Sequence, residues 1–378
     1  LPIGDVLASA IMDVAPEPAG LAPEDQVLAM IYTTGTTGKP KGVMLTHRNL
    51  TFSAFVSGKL RGIREGDAVY CVLPMSHVFG LSAVSSSVLF SGGRVHLVPR
   101  FSATEALRAI REDGIAGFLG VPTMYALMLD VLGDTSLGDT SLGDKVEFHG
   151  PKLRFMYSGG SPLDPAIKRR VEAAFDLPLH NGYGLTESGP TICQTRLYAP
   201  LPNTSVGFVL PGVRIRVLDA DGNEVKPGIV GELWASGPNI MQGYFRQPEQ
   251  TAAVLKEGWF NTGDLVQEDE LGSINIAGRS KELIIRSGFN VYPPEVESVL
   301  TGHPDVSIAA VIGQPRDGDE EIVAFIQPVA GKSPDPEAII AFARTHLAGY
   351  KVPGRVVIVE ELPAAPSGKI LKHKLATG

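Results

Sequence analysis

The sequence predicts a multidomain α/β protein. A large layered α/β domain occupies residues 1–280 and carries a small antiparallel, β-barrel-like subdomain at about 205–280. A small α+β domain occupies 281–378. Three observations predict this. Strand-length apolar runs alternate with amphipathic segments from Val27 to Gly184. Around Ser205 the pattern changes to short alternating runs divided by turns. Beyond Arg279, three β-rich runs surround one helix. A chain of 378 residues with 44% hydrophobic content suffices for two or three domains with their own cores.

In chain order, "VLAMIY" (Val27 to Tyr32) is apolar and predicts a buried strand. "AVYCVLPM", "RVHLVP", "AGFLGVP" and "LRFMYSGG" predict short buried strands of a mostly parallel sheet. Between them, Ser102 followed by Glu105 predicts a capping box for a helix reaching about Asp113. A second helix starts near Asp164 and sets Ile167, Val171 and Ala174 on one face. In "VRIRVLDADGNEV" the alternation and Asp221-Gly222 predict a hairpin. In "DPEAIIAFARTHLAGY", Asp335 caps a helix, Pro336 fills its first turn and Gly349 stands near its end. "GDTSLGDTSLGD" (Gly133 to Asp144) is a tandem duplication, too short for a repeat architecture and best read as a surface loop.

Composition removes several function classes. The net charge of −8 argues against a nucleic-acid partner. Two cysteines, Cys71 and Cys193, argue against a disulfide framework and fit a reducing, cytoplasmic compartment. No apolar run has membrane-spanning length, and "LPIGDVLASA" lacks the basic start of a signal peptide. There is no G-x-S-x-G and no zinc-ligand spacing, which disfavours a serine hydrolase and a zinc enzyme.

The first chemical motif is "YTTGTTGKPKG". From Thr33 through Thr34, Gly35, Thr36, Thr37, Gly38, Lys39 and on to Lys41 it gives up apolar side chains for glycines, hydroxyls and charge. Glycines let a ligand approach the backbone, and successive N–H groups form an anion-binding concavity. The guest this suits is a polyphosphate, although the spacing is neither G-x-x-x-x-G-K-[ST] nor G-x-G-x-x-G. In "NGYGLTE", Gly182 and Gly184 permit close approach, Tyr183 offers a stacking face, and Thr186 and Glu187 offer oxygens suited to Mg²⁺ held jointly with phosphates. Alone, the same stretch is equally a turn with a solvated Glu. In "WFNTGDL", Asp264 suits a ribose diol, or, alone, a hairpin Asp-turn. "GRSKELIIRSGFN" sets Arg279 and Lys281 at the border of two textures and Gly288 where a large side chain is avoided. In "PSGK", Lys369 follows a short presenting loop, or belongs to a solvated basic tail.

The phosphate loop, "PMSH", "SGGSPL", "NGYGLTE", "WFNTGDL", "GRSKEL" and "PSGK" stand in the order found in the adenylate-forming superfamily. The resemblance runs from about Val27 to Leu375. It implies an AMP-forming acid–thiol ligase that uses ATP, Mg²⁺, coenzyme A and a small carboxylic acid. It also implies roles. Thr33 to Lys41 hold the β- and γ-phosphates, Thr186 touches the α-phosphate, and Glu187 holds the metal. Gly159, Gly160 and Ser161, with Asn181, Gly182 and Tyr183, line the adenine and acyl pockets. Asp264 and Arg279 take the ribose, His77 lies near the acyl carboxylate and thiol path, Lys281 is the hinge of a mobile C-terminal domain, and Lys369 completes the adenylation site. Gly288 leaves room for pantetheine.

Family members carry a segment before the phosphate loop, so the large-domain core of this chain is expected to be partly exposed. "IIRS" after "GRSKEL" departs from the lysine-richer luciferases. Apolar "MSHVFGLSAV" and "FLGVPTMYALM" suit a fatty or aryl acid. Transfer to a separate carrier protein, or a non-catalytic nucleotide-binding remnant, are the alternatives. Intact Glu187, Asp264 and Lys369 oppose the remnant.

Overall fold

The structure is a computed structural model and describes residues 23–34, 40–133, 148–316, 318–329, 331–364 and 370–375. It opens with a hairpin rather than with the parallel sheet. β1 (Val27–Thr34) pairs antiparallel with β2 (Pro40–Thr46), with Thr33 opposite Lys41. β1 is not the buried strand its composition suggests: Leu28 is 51% and Tyr32 62% exposed, while Ile31 is buried. Its place at the edge of a three-stranded sheet explains this, since an edge strand packs through alternate residues only. Helix α1 (His47–Leu60) follows at once. Thr46 caps it and Asn49 returns the bond, a true capping box.

The main sheet then assembles. β3 (Ala68–Cys71), β4 (Arg94–Leu97), β5 (Ile115–Gly120), β6 (Phe155–Ser158) and β7 (Leu179–Gly184) are parallel, and β8 (Thr191–Gln194) and β9 (Phe208–Val209) extend them antiparallel. The spatial order is β4-β3-β5-β6-β7-β8-β9. β3, β5 and β6 are buried throughout. β4 is the edge and is half-exposed, contrary to its reading as a buried strand.

Three helices cover one face. They are α2 (Ala103–Glu112), α3 (Pro122–Val131) and α4 (Pro165–Phe175), packed through Ile110, Tyr125, Met128 and Val171 onto Tyr70, Phe118 and Met156. The α2 cap is half of the expected box. Ser102 accepts from the Glu105 N–H, but the Glu105 carboxylate turns to Arg108 Nε at 2.9 Å. Val84, Val88 and Phe79 cover the opposite face over Val69, Leu119 and Phe155.

β10 (Arg214–Leu218), β11 (Val230–Ser236), β13 (Leu255–Lys256), β14 (Trp259–Glu268) and β15 (Ile274–Arg279) form a five-stranded antiparallel sheet, while β12 (Gly243–Tyr244) instead joins β2. At Asp221-Gly222 the chain turns, but the return is a single bridge, Leu218 to Glu224; the full partner of β10 is β11. These strands and the β1–β2 hairpin share one core, with Val43, Leu45, Leu233, Phe260 and Ile274 buried.

The remaining residues build separate cores. β16 (Ile284–Arg286) and β17 (Phe289–Val291) form a hairpin, α5 (Pro293–Thr301) follows, and β18 (Val306–Arg316), β19 (Asp319–Pro328) and β20 (Arg355–Ile358) form a sheet. α6 (Pro336–His346) is capped by Asp335 as expected. It stops before Gly349, which instead starts the short turn Gly349–Lys351. The residues Ile284 to Val356 and the tail residue Leu375 pack among themselves. Among the described residues no helix is long and apolar enough to cross a membrane.

Candidate active site

Two short constellations converge at the C-terminal end of β7, where an α/β sheet offers its ligand crevice. The first joins the β1–β2 hairpin to Glu187. The register of β2 against β12 sets Tyr244 opposite Val43, one strand over from Lys41. Lys41 Nζ lies 4.7 Å from the Tyr244 ring centroid, and Tyr244 donates its O–H to Glu187 Oε1 at 2.9 Å. Glu187 sits in the turn Thr186–Ser188 directly after β7, held where its carbonyl accepts from Met241 N–H at 2.8 Å. Thr186 is buried and Glu187 half-buried. Burial and the Glu187 carboxylate push the Tyr244 phenol well above its ordinary pKa, so it stays a donor. Nothing in "QGYF" marks Tyr244 for this place; only the pairing of β12 with β2 brings it there.

The second constellation centres on Asp264, in the middle of β14 and 4% exposed. Tyr183 donates to Asp264 Oδ2 at 2.5 Å, and Arg279, its cross-strand partner on β15, meets Oδ1 with Nε at 3.0 Å. Burial works against the Arg279 charge, but Asp264, Glu282, Tyr183 and Glu187 outweigh it and hold its pKa above the ordinary value. Burial first, and then Asp264, push the Tyr183 phenol well up. Thr262 supports the strand by donating to the Leu233 carbonyl at 2.8 Å and accepting from Asp264 N–H at 3.1 Å. Asp264 is thus a buried strand residue fixed by Tyr183 and Arg279, not a solvated hairpin turn.

A third group lies beside these. A Cβ on Gly159 would stand 3.1 Å from the Phe79 ring and 3.6 Å from the Gly182 carbonyl. The missing side chain therefore lets the β6 loop, the β7 end and the segment after His77 close on one another. Phe79 N–H donates to His77 Nδ1 at 3.2 Å, and His77 itself is exposed, as is Gly160; Ser161 is half-exposed. Asn181 is buried and occupied inside the fold. Its Nδ2 donates to the Thr204 carbonyl at 2.9 Å, and its Oδ1 accepts from Gly182 N–H at 3.0 Å.

Lys281 and Gly288 belong to the chain that follows β15. Lys281 is exposed in the turn Ser280–Glu282, tied back to β11 where Ser280 Oγ donates to Glu232 Oε1 at 2.7 Å. Gly288 takes φ +79 in the β16–β17 turn, and a Cβ there would meet nothing within 4 Å. Backbone conformation, rather than crowding, selects glycine here. The turn is fastened within its own unit, with Ser287 N–H on Asp319 and Phe289 stacked 4.7 Å from Tyr350. Of the phosphate loop, Gly35 to Lys39 lie outside the described residues, as do Lys369 and the Asp134–Asp144 part of the duplicated segment; Thr33 and the backbone of Thr34 are described.

A parallel sheet whose C-terminal edge gathers a lysine, a metal-capable carboxylate and a paired Asp–Arg, followed by a small α+β unit, defines an adenylate-forming enzyme. The chain belongs to the AMP-binding enzyme family: residues 5–245 match the AMP-binding enzyme model, and residues 295–369 match the AMP-binding enzyme C-terminal domain. It is 35% identical over 360 residues to a feruloyl-CoA synthase of an Amycolatopsis species, covering 95% of this chain and 70% of that protein. It is 37% identical to the fatty acid–[acyl-carrier-protein] ligase ScoC of Streptomyces coeruleorubidus, covering 96% and 69%. The crystal structure of ATP-bound MatB from Rhodopseudomonas palustris superposes with a TM-score of 0.84 at 32% identity, covering 94% of this chain and 68% of that one.

Proposed function

We propose that this protein activates a fatty or aryl carboxylic acid with ATP, forming an acyl-adenylate and pyrophosphate, and then passes the acyl group to coenzyme A with release of AMP. The observation that carries this reading is the convergence of Lys41, Glu187 and the Tyr183–Asp264–Arg279 group on one strand end. Their spacing along the chain gives no such reason to meet.

The chemistry sets the demands. A carboxylate attacking the α-phosphate brings two anions together, so fixed positive charge and positioning must lower the barrier. Lys41 and the Thr33-flanked loop suit the departing pyrophosphate. Asp264 presents an acceptor to the ribose hydroxyls while Arg279 and Tyr183 fix its direction. Thr186 faces the same strand end, where its hydroxyl suits the α-phosphate. Gly159 to Ser161 and Gly182 leave backbone edges for the base and the acid. Glu187 fits Mg²⁺: one oxygen accepts the hydrogen bond of the Tyr244 O–H, the other is a hard ligand, and Mg²⁺ commonly takes one or two carboxylates plus phosphates. When bound, the metal supplies charge neutralisation at the phosphates. Lys369 adds the charge that completes the acyl-forming state, and Lys281 stands where the two units join. His77, exposed beside Phe79, lies on the approach to the acyl carboxylate. Gly288 belongs to the thioester-forming step.

The test is exchange of labelled pyrophosphate into ATP across octanoate, palmitate, benzoate and ferulate. Acid-dependent exchange is expected, followed by CoA-dependent AMP release. Absence of exchange with every acid points to a nucleotide-binding remnant. A second acceptor is favoured by one specific observation, the likeness to a carrier-protein ligase. Acyl transfer to a phosphopantetheinyl carrier faster than to coenzyme A would select it.

A further inference from the structure

Lys372 is a lysine whose charge the chemistry above does not use, yet it is held on two sides. Its Nζ lies 2.7 Å from Glu297 Oε1 and 3.1 Å from Glu282 Oε2, with its side chain 18% exposed. Glu297 is on α5 and also accepts from the Val311 N–H of β18 at 2.7 Å, so it is a fixed point of the C-terminal unit. Glu282 belongs to the turn Ser280–Glu282, which leaves β15 and leads into that unit. Lys372 therefore ties the tail to both the unit and the turn before it.

The rest of the tail is attached differently. Ile370 bridges to Ala364, Leu371 N–H donates to the Pro363 carbonyl at 2.7 Å, and Leu375 is buried with Val323, Phe325 and Leu362. These contacts fix the tail to its own sheet and say nothing to the turn at 280–282. A buried ammonium between two carboxylates is an expensive way to add stability, since apolar side chains of similar volume often do as well. What it adds is direction, because an ion triad holds only in one arrangement. Burial opposes the Lys372 charge, but Glu297 and Glu282 outweigh it and keep its pKa above the ordinary lysine value.

We propose that Lys372 is a positioning residue that straps the tail 370–375 to the Glu282 turn, and that the adenylation half-reaction, to which Lys369 three residues earlier in the sequence is assigned, needs this strap. This rests on the reading that Lys369 completes the adenylation site. A strap of this kind matters to the half-reaction that needs Lys369 and not to the one that does not.

The experiment compares Lys372→Met, Lys372→Arg, Glu282→Gln and Lys369→Ala in the full chain. Two half-reactions are read: octanoate- or ferulate-dependent pyrophosphate exchange, and single-turnover reaction of the synthetic acyl-adenylate with coenzyme A. Lys372→Met is expected to lower the exchange kcat roughly ten- to a hundredfold with the ATP KM within about twofold, while the thioester step changes less than about threefold. Lys372→Arg should recover most of the exchange. Glu282→Gln, which leaves the Lys372–Glu297 pair intact, should lower exchange several-fold without moving the melting temperature. It keeps the test alive if Lys372→Met fails to fold.

A readout that needs no acid is hydrogen exchange of the Leu371 N–H, which donates to the Pro363 carbonyl, expected to quicken several-fold in Lys372→Met and Glu282→Gln. Equal loss in both half-reactions, or unchanged exchange in Lys372→Met and Glu282→Gln beside a crippled Lys369→Ala, overturns the strap and leaves the Lys369 reading standing. Unchanged exchange in Lys369→Ala overturns that reading and the strap with it.

Discussion

Asp264 and Glu187 are carboxylates at the same strand end, and the fold treats them in opposite ways. Asp264 is buried on a long strand, with one oxygen on Tyr183 and the other on Arg279. Glu187 is half-buried on a one-turn helix, with one oxygen on Tyr244. The first is oriented before any ligand arrives. The second has, among the described residues, a partner on one oxygen only. In the proposed roles, recognition of a neutral diol profits from fixed direction, whereas sharing a metal with moving phosphates profits from open coordination.

The contrast breaks most visibly at Glu187. Glu187→Gln keeps an acceptor for Tyr244 but loses the charge. Acid-dependent pyrophosphate exchange is expected to fall about a hundred- to a thousandfold, the range for removing one preorganised electrostatic partner. The melting temperature should stay put, and added Mg²⁺ should recover part of the rate. A deep fall in stability would mean that Glu187 is as pre-paired as Asp264.

Asp264→Asn should act on binding and on stability together. The ATP KM is expected to rise roughly ten- to a hundredfold, as a hydrogen bond to a charged group weakens. Stability should fall by about 2 kcal/mol in chemical denaturation. That is less than for a fully buried pair, because Arg279 is 35% exposed. Unchanged stability with a raised KM would show that the pair is dispensable to the fold.

Much of this was legible in the sequence where the signal is local. Asp164 and Asp335 cap the helices they precede, and the shift of texture after Arg279 coincides with separate cores on either side. What the sequence hides is pairing between distant strands. "VLAMIY" is apolar like a core strand, but its edge position leaves Leu28 and Tyr32 in solvent. Tyr244 carries no local signal and enters the site because β12 pairs with β2. Nor does the sequence show that the Asn181 amide is held by Thr204 and Gly182. Gly288 has a left-handed backbone that the sequence does not reveal and that by itself favours glycine.

The finest test of the contrast uses the two phenols. Tyr183→Phe removes a fixed partner of Asp264, and Tyr244→Phe removes the one donor to the Glu187 carboxylate among the described residues while keeping the ring beneath Lys41. Each change deletes a single O–H and no packing volume, so effects of a few-fold are expected. Tyr183→Phe should raise the ATP KM and spare kcat, because it loosens the direction of a binding group. Tyr244→Phe should lower kcat and spare the KM, because it frees a carboxylate whose position matters when charge builds on the phosphates. In an Asp264→Asn background, Tyr183→Phe should add little, whereas Tyr244→Phe should add its full effect, since interacting pairs are non-additive and separate ones are additive. The wild-type pH profile offers an independent check. Burial and Asp264 raise the Tyr183 phenol, so its proton is retained at pH values where an exposed tyrosine, with a pKa of about 10, has lost it. The ATP KM should therefore show no ionisation near pH 10 that Tyr183→Phe removes. A rise there, abolished by Tyr183→Phe, would mean that the phenol is solvated and that Asp264 is no better oriented than Glu187.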